Sequence, residues 1–207
     1  MTTLVLIAKE PLPGKAKTRL SPPFSLEQAA TLAAAAIDDT LAAMQSLPAS
    51  RRILLYEGNR LPPRSEEYDV TGQTSGTLDV RLGAIFDECD GPMVLIGMDT
   101  PQLTSDDLSP AFGDWPDDVD AWFGAANDGG FWALGMREPR GDLIRGVPMS
   151  TDDTGAIQLD RLESAGLRVG HLPTHTDVDT IVSAREVAAL APRTLFARTL
   201  HGFEATL

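Results

Sequence analysis

Residues 4–8 and 93–98 are apolar at consecutive rather than alternate positions. A strand covered by helices on both faces needs apolar side chains on both, so these runs predict the central strands of a parallel sheet. Residues 51–56, 119–126, 131–136 and 167–172 are shorter or more mixed, which raises the expected sheet to about six strands. Between the strands the spacing changes to three and four. Leu26, Ala30, Ala33, Ile37, Leu41 and Met44 form one stripe, opened by a capping-box pair, Ser25 and Gln28. Leu78, Leu82, Ile85, Phe86 and Cys89 form a second. Thr104 with Asp107 starts a short third helix, and Ile181, Ala184, Ala188 and Ala191 mark a late one.

Strands alternating with helices predict an α/β fold: a three-layer α/β/α sandwich with a mostly parallel sheet, whose ligands bind beyond the carboxyl ends of the strands. One domain is expected over residues 1–191. Residues 192–207 then form an extension whose Leu195, Phe196, Leu200 and Phe203 cover either the core or a subunit interface.

Composition sharpens this picture. With 43% apolar residues in 207, the chain can bury one full core. No apolar stretch approaches the roughly 20 residues that cross a bilayer, no basic leader precedes the first strand, and the lone Cys89 cannot form an internal disulfide. The expected location is the cytoplasm. Seventeen basic against 30 acidic residues give a net charge of −13, which repels a nucleic-acid backbone.

Against that acidic background Lys9, Lys15, Lys17 and Arg19 cluster with a single acid, Glu10, directly after the first buried strand. A loop in that position points into the ligand crevice, and Gly14 lets backbone approach a phosphate closely. The loop is not a Walker A motif: Lys9 stands at the first glycine position, and Ala16 follows Lys15 where Ser or Thr is required. Its alternative reading is a Pro-rich surface connection.

Asp99, at the end of the other buried run, suits a magnesium ion shared with substrate phosphates; the alternative is a residue opening the turn before Thr104. In Asp177-Val178-Asp179-Thr180 only one carboxylate is expected to face a metal, and Asp179 competes as a helix cap. Asn127-Asp128-Gly129-Gly130 reads locally as a hairpin turn. His171, His175 and His201 show no ligand spacing, and Cys89 has no evident base.

In this order the segments resemble a family of small bacterial proteins, of the DUF2064 type, in the nucleotide-diphospho-sugar transferase superfamily with the glycosyltransferase-A fold. The residues carrying the resemblance are Ala8 to Leu20, Gly97 to Leu103, Asp128 to Phe131, Ser150-Thr151 and Asp177 to Thr180. Three positions depart from the family pattern: Asn127 in place of an acid, Met149 in place of Trp, and Asp79 in place of Gly.

The resemblance implies a transferase with Lys17, Arg19 and Asp99 as catalytic residues. Ala8, Lys9, Pro13, Gly14, Lys15 and Gly76 would bind the nucleotide. Asp99 with Asp177 or Asp179 would hold Mg²⁺ or Mn²⁺, and Asp128, Gly129, Gly130 and Thr151 would face sugar or acceptor. Its implied partners are a nucleoside triphosphate or nucleotide sugar and a small acceptor, for a monomer or homodimer. Three functions stay open: glycosyl transfer from a nucleotide sugar, nucleotidyl transfer with pyrophosphate release as in guanylyl and molybdenum-cofactor transferases, and nucleotide binding without turnover.

Overall fold

The computed structural model describes residues 1–206. In chain order it contains β1 (Thr3–Lys9), α1 (Leu26–Met44), β2 (Arg51–Glu57), β3 (Asp69–Gly72), α2 (Leu78–Glu88), β4 (Met93–Ile96), α3 (Ser105–Leu108), β5 (Ala121–Ala125), β6 (Phe131–Met136), α4 (Thr154–Ser164), β7 (Val169–His171), α5 (Ile181–Leu190) and α6 (Leu195–Glu204). The seven strands form one sheet in the order β3-β2-β1-β4-β6-β5-β7. β6 alone runs against its neighbours; the other strands are parallel to one another. That reversal brings the start of β6 to the edge where the other strands end.

The consecutive apolar runs lie at the centre. In β1, Leu4 and Leu6 join a core on one face with Ile37 and Leu41 of α1, while Val5 joins a core on the other with Leu82 and Phe86 of α2. Both faces are covered, as a central parallel strand requires. α1 begins at the expected capping box, with Gln28 N donating to Ser25 Oγ at 3.2 Å and Ser25 N to Gln28 Oε1 at 2.9 Å.

Three elements went unforeseen. β3 is an edge strand with Val70 its one apolar side chain, and that side chain is exposed. α4 turns Thr154, Gly155 and Gln158 inward, with Leu162 its one fully buried large apolar side chain, so its buried face is mixed rather than an apolar stripe. Within residues 192–206 lies α6, whose Phe196 and Leu200 are fully buried with Leu32 and Ala36 of α1 and Val187 of α5. Its first turn is also tied down: Leu195 N and Phe196 N donate to Asp39 Oδ1 and Oδ2 at 2.8 and 2.7 Å, satisfying two helix-start donors with a carboxylate from α1. Among the described residues no helix is long and apolar enough to cross a membrane.

Candidate functional site

β1 delivers the chain to the carboxyl edge, and the following loop is folded tightly rather than left as a surface strap. Lys15 N and Ala16 N both donate to Leu12 O, and Ala16 is buried as an anchor. Gly14 has φ +74°, a left-handed conformation that glycine adopts without penalty. Lys17 takes the same region at φ 50° and ψ 38°, which costs a residue with a Cβ about 1 to 2 kcal/mol. The cost is offset by where its side chain goes. Lys17 Nζ lies 2.7 Å from Asp99 Oδ1 and donates to Val178 O, with its side chain 7% exposed.

These groups border a cleft of about 670 Å³ along the carboxyl edge. Asp99 enters just after β4. Asp177 and Asp179 arrive before α5, on a segment pinned to β4's exit by Val178 N donating to Asp99 O at 2.9 Å. Both carboxylates line the cleft while Val178 is buried. Residues two apart on an extended segment share a side. Asp179 is not the helix cap: Thr180 caps α5, and Asp179 Oδ2 accepts from Arg19 Nη1. Asp177 Oδ1 accepts the Thr100 hydroxyl at 2.7 Å. Burial pushes the Asp177 carboxyl up to about 6; the Thr100 hydrogen bond opposes this, the charges of Asp99 and Asp128 add to it, and Lys17 opposes it.

A turn between antiparallel strands, as its local sequence predicts, Asn127–Gly130 joins β5 to β6. Because β6 runs backwards, that turn stands in the cleft with Asp128 and Gly130 on its wall. Gly130 N donates to Asp128 Oδ1 at 2.9 Å. The start of α4 packs directly behind: Gly155 N donates to Gly129 O at 2.8 Å, and a Cβ on Gly129 would lie 1.9 Å from Asp152 O. Thr151 also reaches the wall, its hydroxyl donating to Asp153 Oδ1 at 2.5 Å. Asn127, the departure from the family's acid, donates to Thr176 Oγ1 at 2.7 Å and so helps hold the segment leading to Asp177.

The structure thus brings Ala8, Lys9, Lys15, Lys17, Arg19, Asp99, Asp128, Gly130, Thr151, Asp177 and Asp179 to one cleft. Pro13, Gly14, Gly76 and Gly129 do not themselves line its wall. Gly14 and Gly129 shape turns instead, and Gly76 O accepts from Arg81 Nε at 2.9 Å. Sequence reasoning missed Glu57, Gln73 and Arg81 at the far end of the cleft. Arg81 Nη1 lies 2.6 Å from Glu57 Oε2 and 3.1 Å from Gln73 Oε1, while Gln73 Nε2 donates to Ala8 O at 2.9 Å. Glu57 carried the signal that singled out Asp99, a polar residue at the carboxyl end of a buried strand.

A divalent cation fits this donor set in one form only. Asp99 Oδ1 is buried, and its ion-pair partner there is the Lys17 ammonium at 2.7 Å. Yet among the described residues no three acidic, histidine or cysteine side chains converge as a cage. That suits Mg²⁺ or Mn²⁺ held by one or two carboxylates, with phosphate oxygens completing the shell.

The family model described as "Uncharacterized protein conserved in bacteria (DUF2064)" matches residues 28–151, more than half of the chain. The chain belongs to that family. A solved structure, a provisionally named nucleotide-diphospho-sugar transferase from Desulfovibrio desulfuricans G20, is 25% identical with a TM-score of 0.84, covering 99% of this chain and 95% of its own. The fold is that of the nucleotide-diphospho-sugar transferases, and the chain is a transferase in class. Two further structures share the fold at 12% identity. CMP:2-keto-3-deoxy-manno-octonic acid synthetase complexed with CTP has a TM-score of 0.57, covering 93% of this chain and 98% of its own. Inositol-1-phosphate CTP transferase from T. maritima has a TM-score of 0.56, covering 95% of each. No curated protein matches the chain in sequence.

Proposed function

We propose that this protein transfers a glycosyl group from a nucleotide sugar to a small neutral or cationic acceptor, with a divalent cation at the donor's diphosphate. The observation that carries the reading is the division of charge along the cleft. Lys9, Lys15, Lys17, Arg19 and Arg81 gather at the β1 loop and α2, the last three paired with Asp99, Asp179 and Glu57, whereas the wall formed by Asp128 to Trp132 and Met149 to Thr154 holds Asp128 and Asp152 and no lysine or arginine. One end therefore attracts a polyanion and the other repels one. A nucleotidyl transfer to a phosphate-bearing acceptor would need cations at both ends. A neutral hydroxyl or an amine needs none.

Adjacent strands lie about 4.8 Å apart, so the ends of β2 and β4 are separated by about 10 Å, the span of a nucleoside with its first phosphates. The nucleoside then sits over Glu57, Gln73 and Arg81, and the diphosphate over Lys17 and Arg19. Asp99 and Asp177 would hold the cation, which when bound neutralises the diphosphate as it becomes a leaving group. The acceptor oxygen or nitrogen bonds to the sugar's anomeric carbon. The bond from that carbon to the phosphate oxygen breaks with its electron pair on the nucleoside diphosphate, and the acceptor proton passes to Asp128, whose Oδ2 is left free by the Gly130 bond to Oδ1.

Nucleotidyl transfer retains one supporting observation, the five cations on the donor side, which also suit a triphosphate. The test is thermal denaturation with nucleotide sugars and nucleoside triphosphates, with and without Mg²⁺, on wild type and Asp99→Asn. A metal-dependent rise that the variant loses is the expected result. No rise with any nucleotide overturns the transferase assignment, and release of pyrophosphate rather than nucleoside diphosphate overturns glycosyl transfer.

A further inference from the structure

Lys17 occupies an unusual position for a phosphate-binding lysine. Its ammonium does not reach into the open cleft as those of freely solvated lysines do. It is nearly buried, 2.7 Å from the buried Asp99 Oδ1, and it donates to Val178 O on the segment that carries Asp177 and Asp179. The backbone beneath it is left-handed at φ 50°. Residues with a Cβ occupy that region only when surrounding contacts hold them there. Here the ammonium's contacts add to those of the backbone, where Leu20 N donates to Lys17 O at 3.0 Å.

We infer that Lys17 is the resident counter-cation of the Asp99 carboxylate in the free protein, so that a divalent cation is taken up only together with a nucleotide whose phosphates draw the lysine away. This rests on the transferase reading above and adds an order of binding to it.

The physical argument is competition for one oxygen. Two cations within contact distance of Asp99 Oδ1 repel each other, so the ion and the ammonium cannot both stay there unless further anionic charge arrives. Among the described residues no third carboxylate converges on the position, and the missing charge must come with the ligand. A nucleoside diphosphate supplies it, and gives Lys17 new oxygen acceptors. Releasing Lys17 frees Val178 O and the strained loop together, so Lys15 and Arg19, on either side of Lys17, move with it.

The test follows uptake of Mn²⁺ through the electron paramagnetic resonance signal of the free ion, corrected for nucleotide without protein. Probes are Mn²⁺ alone and Mn²⁺ with UDP or GDP, on wild type, Lys17→Asn and Lys17→Arg. Asparagine tolerates the left-handed conformation, so removing the ammonium this way does not add strain. Wild type and Lys17→Arg should leave Mn²⁺ free until nucleotide is added, whereas Lys17→Asn should bind Mn²⁺ alone about tenfold or more tightly than wild type. Equal uptake by wild type with and without nucleotide overturns the inference. So does a Lys17→Asn protein that melts like wild type yet still needs nucleotide for uptake. If Lys17→Asn does not fold, wild type alone decides: uptake conditional on nucleotide supports the inference, and uptake without it refutes it. If no protein takes up Mn²⁺ with either nucleotide, the transferase reading falls and takes this inference with it.

Discussion

Replacing Asp177 by asparagine should make the metal-free protein more stable, and by an amount that depends on pH. The Asp177 carboxyl is raised from 3.8 to about 6, mainly by burial. At 1.36 kcal/mol per pH unit this corresponds to about 3 kcal/mol. The sign follows from proton binding. A folded state that holds the proton more tightly than the unfolded chain is most stable below pH 4, loses that advantage between about pH 4 and pH 6, and stays at the lower level above. Asparagine has no charge to bury, so Asp177→Asn should gain on wild type as pH rises, with the difference at pH 8 falling by about half at pH 5. For a chain of this length the full effect is roughly 6 to 12 °C in Tm. The assay is thermal unfolding in EDTA between pH 5 and 8, where the metal cannot mask the carboxylate. A difference in Tm that stays constant across that range would refute the argument, whatever its size.

Two other outcomes test the frame around the cleft. Gly129→Ala puts a Cβ 1.9 Å from Asp152 O, in a backbone of φ +89°, so the turn must move by about 1 Å away from α4. Turnover should collapse while nucleotide affinity, set at the other end of the cleft, holds; an equal loss of both in paired calorimetric and rate measurements would show that the acceptor wall and donor site are not separable. Phe196→Ala empties a fully buried site between α1, α5 and α6 and should cost about 3 to 5 kcal/mol in urea unfolding, and a cost below 1 would mean that α6 is not part of the cooperative core.

The fold was legible wherever burial dictated residue type. Leu4 to Leu6 and Val94 to Ile96 are apolar because helices press on both faces, and Ser25 with Gln28 marks α1 through hydrogen bonds made inside one turn of chain. β3 was hidden because an exposed edge strand needs no apolar residue, and α4 because its buried face mixes Thr154, Gly155 and Gln158 with Leu162. In the site, Lys17, Arg19 and Asp99 stood out as charges at the ends of buried strands. Which carboxylate each cation meets was not legible, since Lys17 pairs with Asp99 and Arg19 with Asp179 only through the sheet order. Arg81 was missed because it lies on a helix, where a polar residue is unremarkable until its guanidinium is seen bonded to Glu57 and Gln73.

The contact of Lys17 with Val178 joins residues 161 positions apart, and that of Arg19 with Asp179 joins residues 160 apart. Loop closure over such separations is costly before neighbouring structure forms, so these contacts close after the sheet between them has assembled. A chain emerging from the ribosome therefore carries its basic loop unpaired through nearly the whole of synthesis. The cleft, with its basic loop facing Asp177 and Asp179, is complete only in molecules whose last strand and α5 are already in place, and chains truncated before residue 177 should present a basic loop with no acidic partner opposite it.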